Sequence, residues 1–152
     1  MTQDPTLRID AARFWSTVMR SGEIGPGKAG GLRRLALTDA DKEMRDLFVA
    51  WCTETGCTVA VDRIGNVFAR RPGTDDHLPP VLIGSHLDTQ MAGGKYDGIY
   101  YMSRIAPTAM IFTPCRDGIS HNEAEHADRD TTVPGVNVLL HAVLARANRS
   151  PR

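Results

Sequence analysis

The stretch PPVLIGSHLDT, residues 79–89, decides the fold class that the sequence predicts. Its apolar run from Val81 to Gly84 is short and continuous and follows two prolines, which is typical of a buried strand with both faces covered. A second run of this kind spans Ala109 to Thr113. Helical patterns lie on both sides of these runs along the chain. We therefore expect an α/β fold, a mixed sheet flanked by helices.

Three helices are predicted from apolar spacing and from their end signals. A loose apolar stripe indicates a first helix over about residues 8–19, and a clearer stripe indicates a last helix over about 133–147. Between them, Thr38 and Asp41 resemble a capping box, and apolar residues follow at helical spacing. Gly56 is placed to end this middle helix.

The remaining segments predict a hairpin, a loop and a further helical turn. Residues 57–62 and 66–70 alternate in character around a glycine, which favours an antiparallel hairpin. The stretch 21–34 is rich in glycine and therefore predicts a flexible surface loop. A helical segment from about 97 to 105 is expected to end at Pro107.

Length and composition predict a single domain over residues 1–152. Lysine plus arginine equals aspartate plus glutamate at 18 each, so no net charge attracts nucleic acid or an anionic membrane, and a small molecule is the expected partner. No apolar run approaches the roughly 20 residues of a membrane span, and the first residues lack a signal-peptide pattern, which together favour a cytoplasmic location. The cysteines form no CxxC pair and are expected to be ordinary buried or half-buried thiols: Cys52, Cys57 and Cys115.

Residues that bind metals in other proteins follow both predicted strands. His86 and Asp88 stand where ligands gather in open α/β sheets, and two residues apart in an extended segment they project to the same side. A carboxylate often fixes the tautomer of a metal-binding imidazole, and Asp88 is close enough for this role. A glycine-rich turn would return Asp97 toward His86, and the second strand delivers His121 and Glu123. Spacing alone thus favours a metal site formed at two strand ends.

Structural explanations of the same residues remain open at this point. A lone histidine after a strand is more often a hydrogen-bonded structural group than a ligand. Asp97 lies in a Tyr-Asp-Gly sequence that is itself good turn chemistry. The stretch HNEAEHADRD, residues 121–130, is expected to be in large part a solvated charged face, and His77 and His141 are expected to be structural or surface groups.

Longer stretches resemble one enzyme family. GSHLDTQMAGGKYDG (84–98) and RIAPTAMIFTPCRDGISHNEAE (104–125) are similar, in the same order, to the zinc amidohydrolases that include N-carbamoyl-amino-acid hydrolase, β-ureidopropionase and allantoate amidohydrolase. These enzymes belong to the aminoacylase and carboxypeptidase-like dinuclear metallopeptidase group. Residues 31–73 resemble the start of the same enzymes. The resemblance implies a zinc-peptidase-like catalytic domain that hydrolyses an N-carbamoyl amino acid, such as N-carbamoyl-β-alanine, to the amino acid, carbon dioxide and ammonia.

The resemblance also implies roles for individual residues. His86 would bind one metal, Asp97 would bridge both metals, and His121 would bind the other. Asp88 would be the catalytic carboxylate that orients His86. The family holds two ions, with zinc expected and manganese or cobalt as alternatives, and such ions polarise the scissile carbonyl.

The sequence departs from the family between its two motifs. In the family a long segment with a Glu-Glu pair, a HIEQG-like motif and an inserted dimerisation domain separates YDG from RIAPT. Here Asp97 and Arg104 are nearly adjacent and no Glu-Glu pair occurs, which indicates an internal deletion near 98–103. The segment YDGIY (96–100) resembles the family's later HDAIYM-like sequence, so a deletion between two similar sequences explains the join. The general base, one carboxylate ligand and one histidine ligand are therefore missing, and at most one metal is expected.

Three functions remain open from the sequence. The chain is a hydrolase of N-carbamoyl amino acids with reduced or no activity, with allantoate as the alternative substrate. Alternatively, it is a non-catalytic remnant or a subunit that associates with a full-length relative through exposed apolar surface. A third alternative is a one-metal binding module. Glu123 is the candidate for a substitute base.

Overall fold

The computed structural model describes residues 4–89, 102–120 and 124–149, with the side chain at position 29 left out. Its helices and strands are, in chain order, α1 (Ala11–Gly22), α2 (Asp39–Glu54), β1 (Thr58–Val61), β2 (Val67–Arg70) and α3 (Arg129–Ala147). Short 3-10 turns lie at Lys28–Gly30 and Arg116–Gly118. Within these ranges, no helix is long and apolar enough to cross a membrane.

The described residues form two compact units. One comprises residues 4–19, 102–120 and 124–149, and the other comprises residues 20–89. The boundary between the units falls inside α1. The expectation of one domain over residues 1–152 stays a prediction.

Helix α1 begins later than its apolar stripe predicted because Asp10 caps it. The Asp10 carboxylate accepts hydrogen bonds from the backbone N–H groups of Ala12 (3.0 Å) and Arg13 (2.9 Å). The first turn of a helix has N–H groups without intrahelical partners, and a short acidic side chain satisfies them. The existence of this helix is confirmed, with a start three residues after the predicted one.

Helix α2 begins at the predicted capping sequence, although the Asp41 carboxylate binds a backbone N–H one residue earlier than in a standard capping box. The Thr38 hydroxyl accepts from the Asp41 N–H at 3.3 Å. The Asp41 carboxylate accepts from the N–H of Leu37 at 3.0 Å, one residue before the N-cap. In a capping box this side chain would instead accept from the backbone N–H of the N-cap residue, here Thr38. Both side chains still satisfy backbone donors at the helix start, so the predicted start is confirmed.

Helix α2 ends at the predicted glycine in a Schellman motif. The Gly56 N–H donates to the Thr53 carbonyl and the Cys57 N–H to the Cys52 carbonyl, both at 2.9 Å. Gly56 adopts a φ of 80°, a left-handed conformation that glycine enters without steric cost. The predicted helix end is therefore confirmed.

The predicted hairpin is also confirmed. Strands β1 and β2 pair antiparallel, in a register that runs from Thr58 opposite Arg70 to Val61 opposite Val67. Gly65 in the connecting turn has a φ of 90°. The Arg45 guanidinium donates to the Gly65 carbonyl at 2.7 Å from both terminal nitrogens, and this contact attaches the turn to α2.

The glycine-rich stretch 21–34 lies largely at the surface, as the sequence predicted, but two of its residues enter the core. Ile24, near its start, and Arg34, its last residue, are buried, with exposed fractions of 2% and 4%. Its backbone is closed by hydrogen bonds from the Gly27 N–H to the Gly31 carbonyl and from the Arg33 N–H to the Gly25 carbonyl, both at 2.7 Å. A Cβ at Gly27 would lie 3.1 Å from the carbonyl of Gly31. The glycines thus permit close backbone packing here, while the predicted flexibility of the stretch stays a prediction.

The two predicted buried strands are wrong. Residues 81–84 and 109–113 form no strand, and Leu82 and Phe112 are 65% and 80% exposed. A buried strand needs hydrogen-bonded neighbours on its edges and packed layers on its faces. Among the described residues the sheet consists of β1 and β2 alone. The chain therefore contains helices and strands, as expected for an α/β protein, but these apolar runs lack the ladder that would make them strands.

Helix α3 begins four residues before its predicted start. The hydroxyl groups of Thr131 and Thr132 donate to the Asp128 carbonyl at 3.0 and 2.7 Å, and the Thr132 N–H donates to it at 3.0 Å. Pro134 has no N–H to donate to a backbone carbonyl, so it fits best in the first turn of a helix. It lies inside α3 instead, where one backbone bond to the Asp130 carbonyl is missing.

The amino-terminal segment packs along α3. The N–H of Ile9 donates to the Asn137 side-chain oxygen at 3.0 Å, and His141 Nε2 lies 2.9 Å from the Leu7 carbonyl. On the same helix, a Cβ at Gly135 would lie 2.5 Å from Thr113 Cγ2. The second apolar run is thus in contact with a helix through its last residue. The contact between His141 and the Leu7 carbonyl agrees with the expectation that His141 is a structural group.

The predicted helical segment over 97–105 falls largely outside the described residues. Its last part forms a turn in which the Met102 carbonyl accepts from the N–H groups of Ile105 and Ala106, both at 3.0 Å. The turn ends just before Pro107, as predicted.

Candidate functional site

His86 and Asp88 lie side by side, as their spacing predicted. His86 Nδ1 is 2.9 Å from the Asp88 carbonyl oxygen and 3.1 Å from its Oδ1. His86 is exposed and Asp88 is half-buried. Two acceptors at Nδ1 favour the tautomer that is protonated there, which leaves the lone pair of the imidazole on Nε2. The pair therefore presents an oriented imidazole, although on irregular backbone rather than at a strand end.

Arg34 holds the backbone between these two residues. Its Nε donates to the Leu87 carbonyl at 2.7 Å, and its Nη1 donates to the carbonyls of Ser21 and Ile24, both at 2.9 Å. A guanidinium is planar and offers five N–H donors in a fixed arrangement, so it fixes the relative positions of its acceptors. Arg34 thereby joins the His86–Asp88 segment to the core of residues 20–89.

Thr89 makes a second connection to the same arginine. The Arg34 N–H donates to Thr89 Oγ1, and the Thr89 N–H donates to the Arg34 carbonyl, both at 2.7 Å. The Thr89 hydroxyl also lies 3.4 Å from the Leu32 carbonyl, to which it donates. Asp88 is therefore held from both sides along the chain, at Leu87 and at Thr89.

The charge of Arg34 is buried among neutral acceptors. Burial lowers the pKa of the Arg34 guanidinium, and the nearby carboxylates of Asp41 and Asp88 act in the opposite direction. Its hydrogen-bond acceptors are three carbonyls and the Ser21 hydroxyl. The role of Arg34 was not predicted from the sequence, because the whole glycine-rich stretch was expected at the surface. The available signal was the arginine pair flanked by leucines in residues 32–35, but it does not tell which arginine points inward.

The donor chemistry of the His86–Asp88 pair fits a divalent metal. Metal-binding histidines commonly have a carboxylate or a carbonyl on the second ring nitrogen, and His86 has both from Asp88. A complete zinc site needs three or four protein ligands. Within 4–89, 102–120 and 124–149, no group of three or more His, Cys, Asp or Glu residues is arranged to hold a metal. Asp97, His121 and Glu123 lie outside the described residues, so their predicted roles stay predictions.

The charged stretch after the second apolar run is exposed where the structure describes it. Residues 124–130 are all exposed. His126 Nε2 lies 2.9 Å from Asp128 Oδ1, and Cys115 Sγ lies 3.7 Å from Glu125 Oε1. The expectation of a solvated charged face is confirmed for these residues.

The cysteines are free and half-buried, as predicted. Burial raises the pKa of the Cys52 thiol, and the neighbouring Cys57 raises it further. Desolvation and the Glu125 carboxylate raise the pKa of Cys115. Since the thiolate is the reactive form, these shifts favour inert thiols at Cys52 and Cys115.

The chain is similar in sequence and in structure to known amidohydrolases. No protein-family model matches the sequence. The chain is 54% identical over 92 residues to the N-carbamoyl-L-amino-acid amidohydrolase of Rhizobium meliloti. The matched region covers 60% of this chain and 22% of that protein. It also superimposes on a hydantoinase/carbamoylase family amidase from Burkholderia ambifaria with a TM-score of 0.55 and 56% identity, over 62% of this chain and 23% of the other. The chain is homologous to the N-carbamoyl-amino-acid amidohydrolases.

The homology extends to amidohydrolases that are named for another substrate. The allantoate amidohydrolase of Bacillus subtilis is 41% identical over 81 residues, which covers 51% of this chain and 19% of that protein. The chain spans about a fifth of the length of the curated relatives that it matches. The resemblance to the carbamoyl-amino-acid amidohydrolases is therefore confirmed for part of this chain.

Proposed function

We propose that this chain is a metal-dependent amidohydrolase of linear C–N bonds by descent, that its substrates are N-carbamoyl amino acids of the N-carbamoyl-β-alanine type, and that its turnover is strongly reduced. The observation that supports this most directly is the His86–Asp88 pair, with Asp88 oxygens 2.9 and 3.1 Å from His86 Nδ1. The homology to N-carbamoyl-amino-acid amidohydrolases supplies the reaction class.

In this proposal His86 binds a metal through Nε2, and Asp97 and His121 complete the ligand set. Three ligands suffice for one open-sided ion, with zinc expected and manganese or cobalt as alternatives. When bound, the metal supplies Lewis-acid polarisation of the carbamoyl carbonyl. Asp88 keeps the proton of His86 on Nδ1 and so leaves the lone pair on Nε2.

The reaction consumes one water molecule. The oxygen of water bonds to the carbamoyl carbon, both C–N bonds of that carbon break, and the products are the amino acid, carbon dioxide and ammonia. The family uses a glutamate to move the proton from water to the leaving nitrogen, and this sequence contains no Glu-Glu pair. Since general acid–base catalysis typically contributes about a hundredfold to ten-thousandfold, we expect turnover to be lower by about that factor than in a full-length relative.

A second candidate function is a non-catalytic subunit that associates with a full-length relative. It is favoured by the exposure of the adjacent residues Leu82 and Ile83, which in a sheet would be covered. Exposed apolar clusters commonly mark interaction surfaces. Co-expression with a full-length relative and size-exclusion chromatography test this candidate: a mixed complex that is weakened by Leu82→Lys supports it, and separate elution contradicts it.

The main experiment combines metal analysis with an ammonia-release assay. Purified protein is loaded with zinc, manganese or cobalt and assayed on N-carbamoyl-β-alanine and on allantoate. We expect at most one metal per chain, with metal lost in His86→Ala and kept in the matched control His77→Ala, whose histidine lies in an exposed loop. We also expect slow ammonia release that is faster on the carbamoyl substrate.

Other results of the metal analysis and the ammonia assay would favour a different function. Two metals per chain with turnover like that of a full-length relative would contradict the argument from the missing ligands and base. A site that prefers allantoate would replace the proposed substrate class. Bound metal without any ammonia release would favour a one-metal binding module, and neither metal nor release would leave a non-catalytic remnant.

A further inference from the structure

We propose that Arg34 is a positioning residue for His86: its side chain sets the backbone geometry of residues 86–88, and thereby brings the His86 imidazole onto Asp88. The inference rests on the proposed function only in naming a metal as what His86 holds. The effect of Arg34 on the geometry of residues 86–88 involves only residues of this chain and does not depend on metal binding.

The first support is the position of the carbonyl that Arg34 contacts. Leu87 lies between the two residues of the pair, and its carbonyl accepts from Arg34 Nε at 2.7 Å. The same guanidinium is attached to the carbonyls of Ser21 and Ile24 at 2.9 Å. Because the guanidinium is planar, the peptide that follows Leu87 is held in a fixed orientation relative to these two carbonyls. The direction in which Asp88 leaves the backbone is fixed with it.

The second support is the reciprocal contact between the backbone of Arg34 and Thr89. Two hydrogen bonds of 2.7 Å join these residues: the Arg34 N–H donates to the Thr89 hydroxyl, and the Thr89 N–H donates to the Arg34 carbonyl. Arg34 therefore holds the chain on both sides of Asp88. An exposed irregular segment would otherwise sample several conformations, since ordering it is entropically unfavourable.

The third support is that the charge is buried without a direct carboxylate partner. Arg34 is 4% exposed, and its hydrogen bonds go to neutral oxygens. Burial of a charge is strongly unfavourable unless hydrogen bonds and nearby opposite charges offset it. An apolar side chain would fill the same space without that penalty. What the guanidinium adds is a fixed set of donors, and these donors point at the backbone of the candidate site.

The test uses metal-free protein first, with the tautomer of His86 as the readout. In ¹⁵N-labelled wild type, NMR should show His86 protonated at Nδ1. Arg34→Met removes the donors, and Arg34→Lys keeps the charge but loses the planar arrangement, so both should give a mixture of tautomers. The matched control is Arg45→Met, which removes an arginine whose hydrogen bonds go to the Gly65 carbonyl and the Asp41 carboxylate rather than to residues 86–89. It should keep the wild-type tautomer.

Zinc titration gives a second readout. Residues that orient a metal ligand typically contribute about tenfold to a hundredfold to metal affinity, so we expect that loss in both Arg34 variants and none in Arg45→Met. If Arg34→Met does not fold, Thr89→Val removes only the hydroxyl contact and should change the tautomer in the same direction by less.

The proposal is overturned if folded Arg34 variants keep both the tautomer and the zinc affinity of wild type. It is equally overturned if Arg34→Lys behaves as wild type, since charge alone would then suffice, or if Arg45→Met changes the tautomer as much as Arg34→Met. Absence of zinc binding by wild type would contradict the proposed function, while the tautomer comparison would still decide the role of Arg34.

Discussion

The carboxylate of Asp62 organises the turn of the hairpin. It accepts hydrogen bonds from the N–H groups of Ile64 (3.0 Å) and Asn66 (2.8 Å) and from the Asn66 side-chain amide (2.8 Å). The Asn66 side chain is the largest cause of a lowered pKa of Asp62, and the backbone bonds lower it further. Hydrogen bonds to a carboxylate favour its charged form. The turn thus depends on the ionisation of one exposed side chain.

Asn66→Ala should raise the pKa of Asp62 toward its ordinary value. A carboxyl group with a lowered pKa in the folded state stabilises the protein above its unfolded-state pKa, and this stabilisation is lost as the pH falls through the folded-state value. The variant should therefore be less stable than wild type at neutral pH, with the difference vanishing in acid. Carboxyl ¹³C NMR titration measures the pKa. The two proteins should titrate alike in urea, and equal folded-state values would contradict the prediction.

Helix α2 is defined at both ends by local chemistry. Thr38 and Asp41 satisfy backbone donors at its start, and Gly56 closes the Schellman motif at its end. No side chain or backbone atom lies within 4 Å of a Cβ built on Gly56, so its φ of 80° is the feature that favours glycine. Helix ends of this kind are encoded within a few residues and do not depend on distant contacts.

Gly56→Ala should destabilise residues 20–89 by about 1 kcal/mol, because a left-handed conformation of a residue with a Cβ costs that amount. Gly22→Ala is the matched control. Gly22 ends α1, has no atom within 4 Å of its added Cβ and no positive φ, so its substitution should cause no loss. Urea unfolding with an unchanged slope measures both. Equal effects of the two variants would contradict the conformational explanation.

At the scale of the whole molecule, few side chains of the described residues are buried. The buried hydrophobic residues are Ile24 and Met44, each 2% exposed, and the buried polar residues are Arg34 and Asp41. All four lie in residues 20–89. Met44 lies on α2, and its sulfur accepts from the Ser21 hydroxyl at 3.3 Å. The packing of this unit therefore depends strongly on one methionine.

Met44→Ala should lower the free energy of unfolding by about 2–5 kcal/mol, the usual range when a large buried side chain is truncated. That is a large fraction of the roughly 5–15 kcal/mol that stabilises a typical domain. Met44→Leu conserves volume and should lose less than about 1.5 kcal/mol. Met19→Ala, at an exposed methionine, is the control. A small loss in Met44→Ala in urea unfolding would show that the core lies elsewhere.

Local signals in the sequence predicted the parts of the fold that local chemistry determines. The capping sequence at Thr38, the stop at Gly56 and the alternation around Gly65 each act within a few residues, so α2 and the hairpin were predicted correctly. The 81–84 and 109–113 runs were predicted wrongly because a buried strand is defined by its neighbours. An apolar run shows that its burial is favourable, but it does not show that a neighbouring strand is present to pair with it.

The sequence by itself determined the family resemblance, the adjacency of His86 and Asp88, and the boundaries of α2 and the hairpin, since these follow from residue identity and short spacing. Only the tertiary structure showed that Arg34 is buried and holds Leu87 and Thr89, more than 50 residues away. The physical reason is that a guanidinium finds its acceptors through the folding of distant segments. Two adjacent arginines lie between leucines in residues 32–35, and that pattern alone does not tell which arginine enters the core.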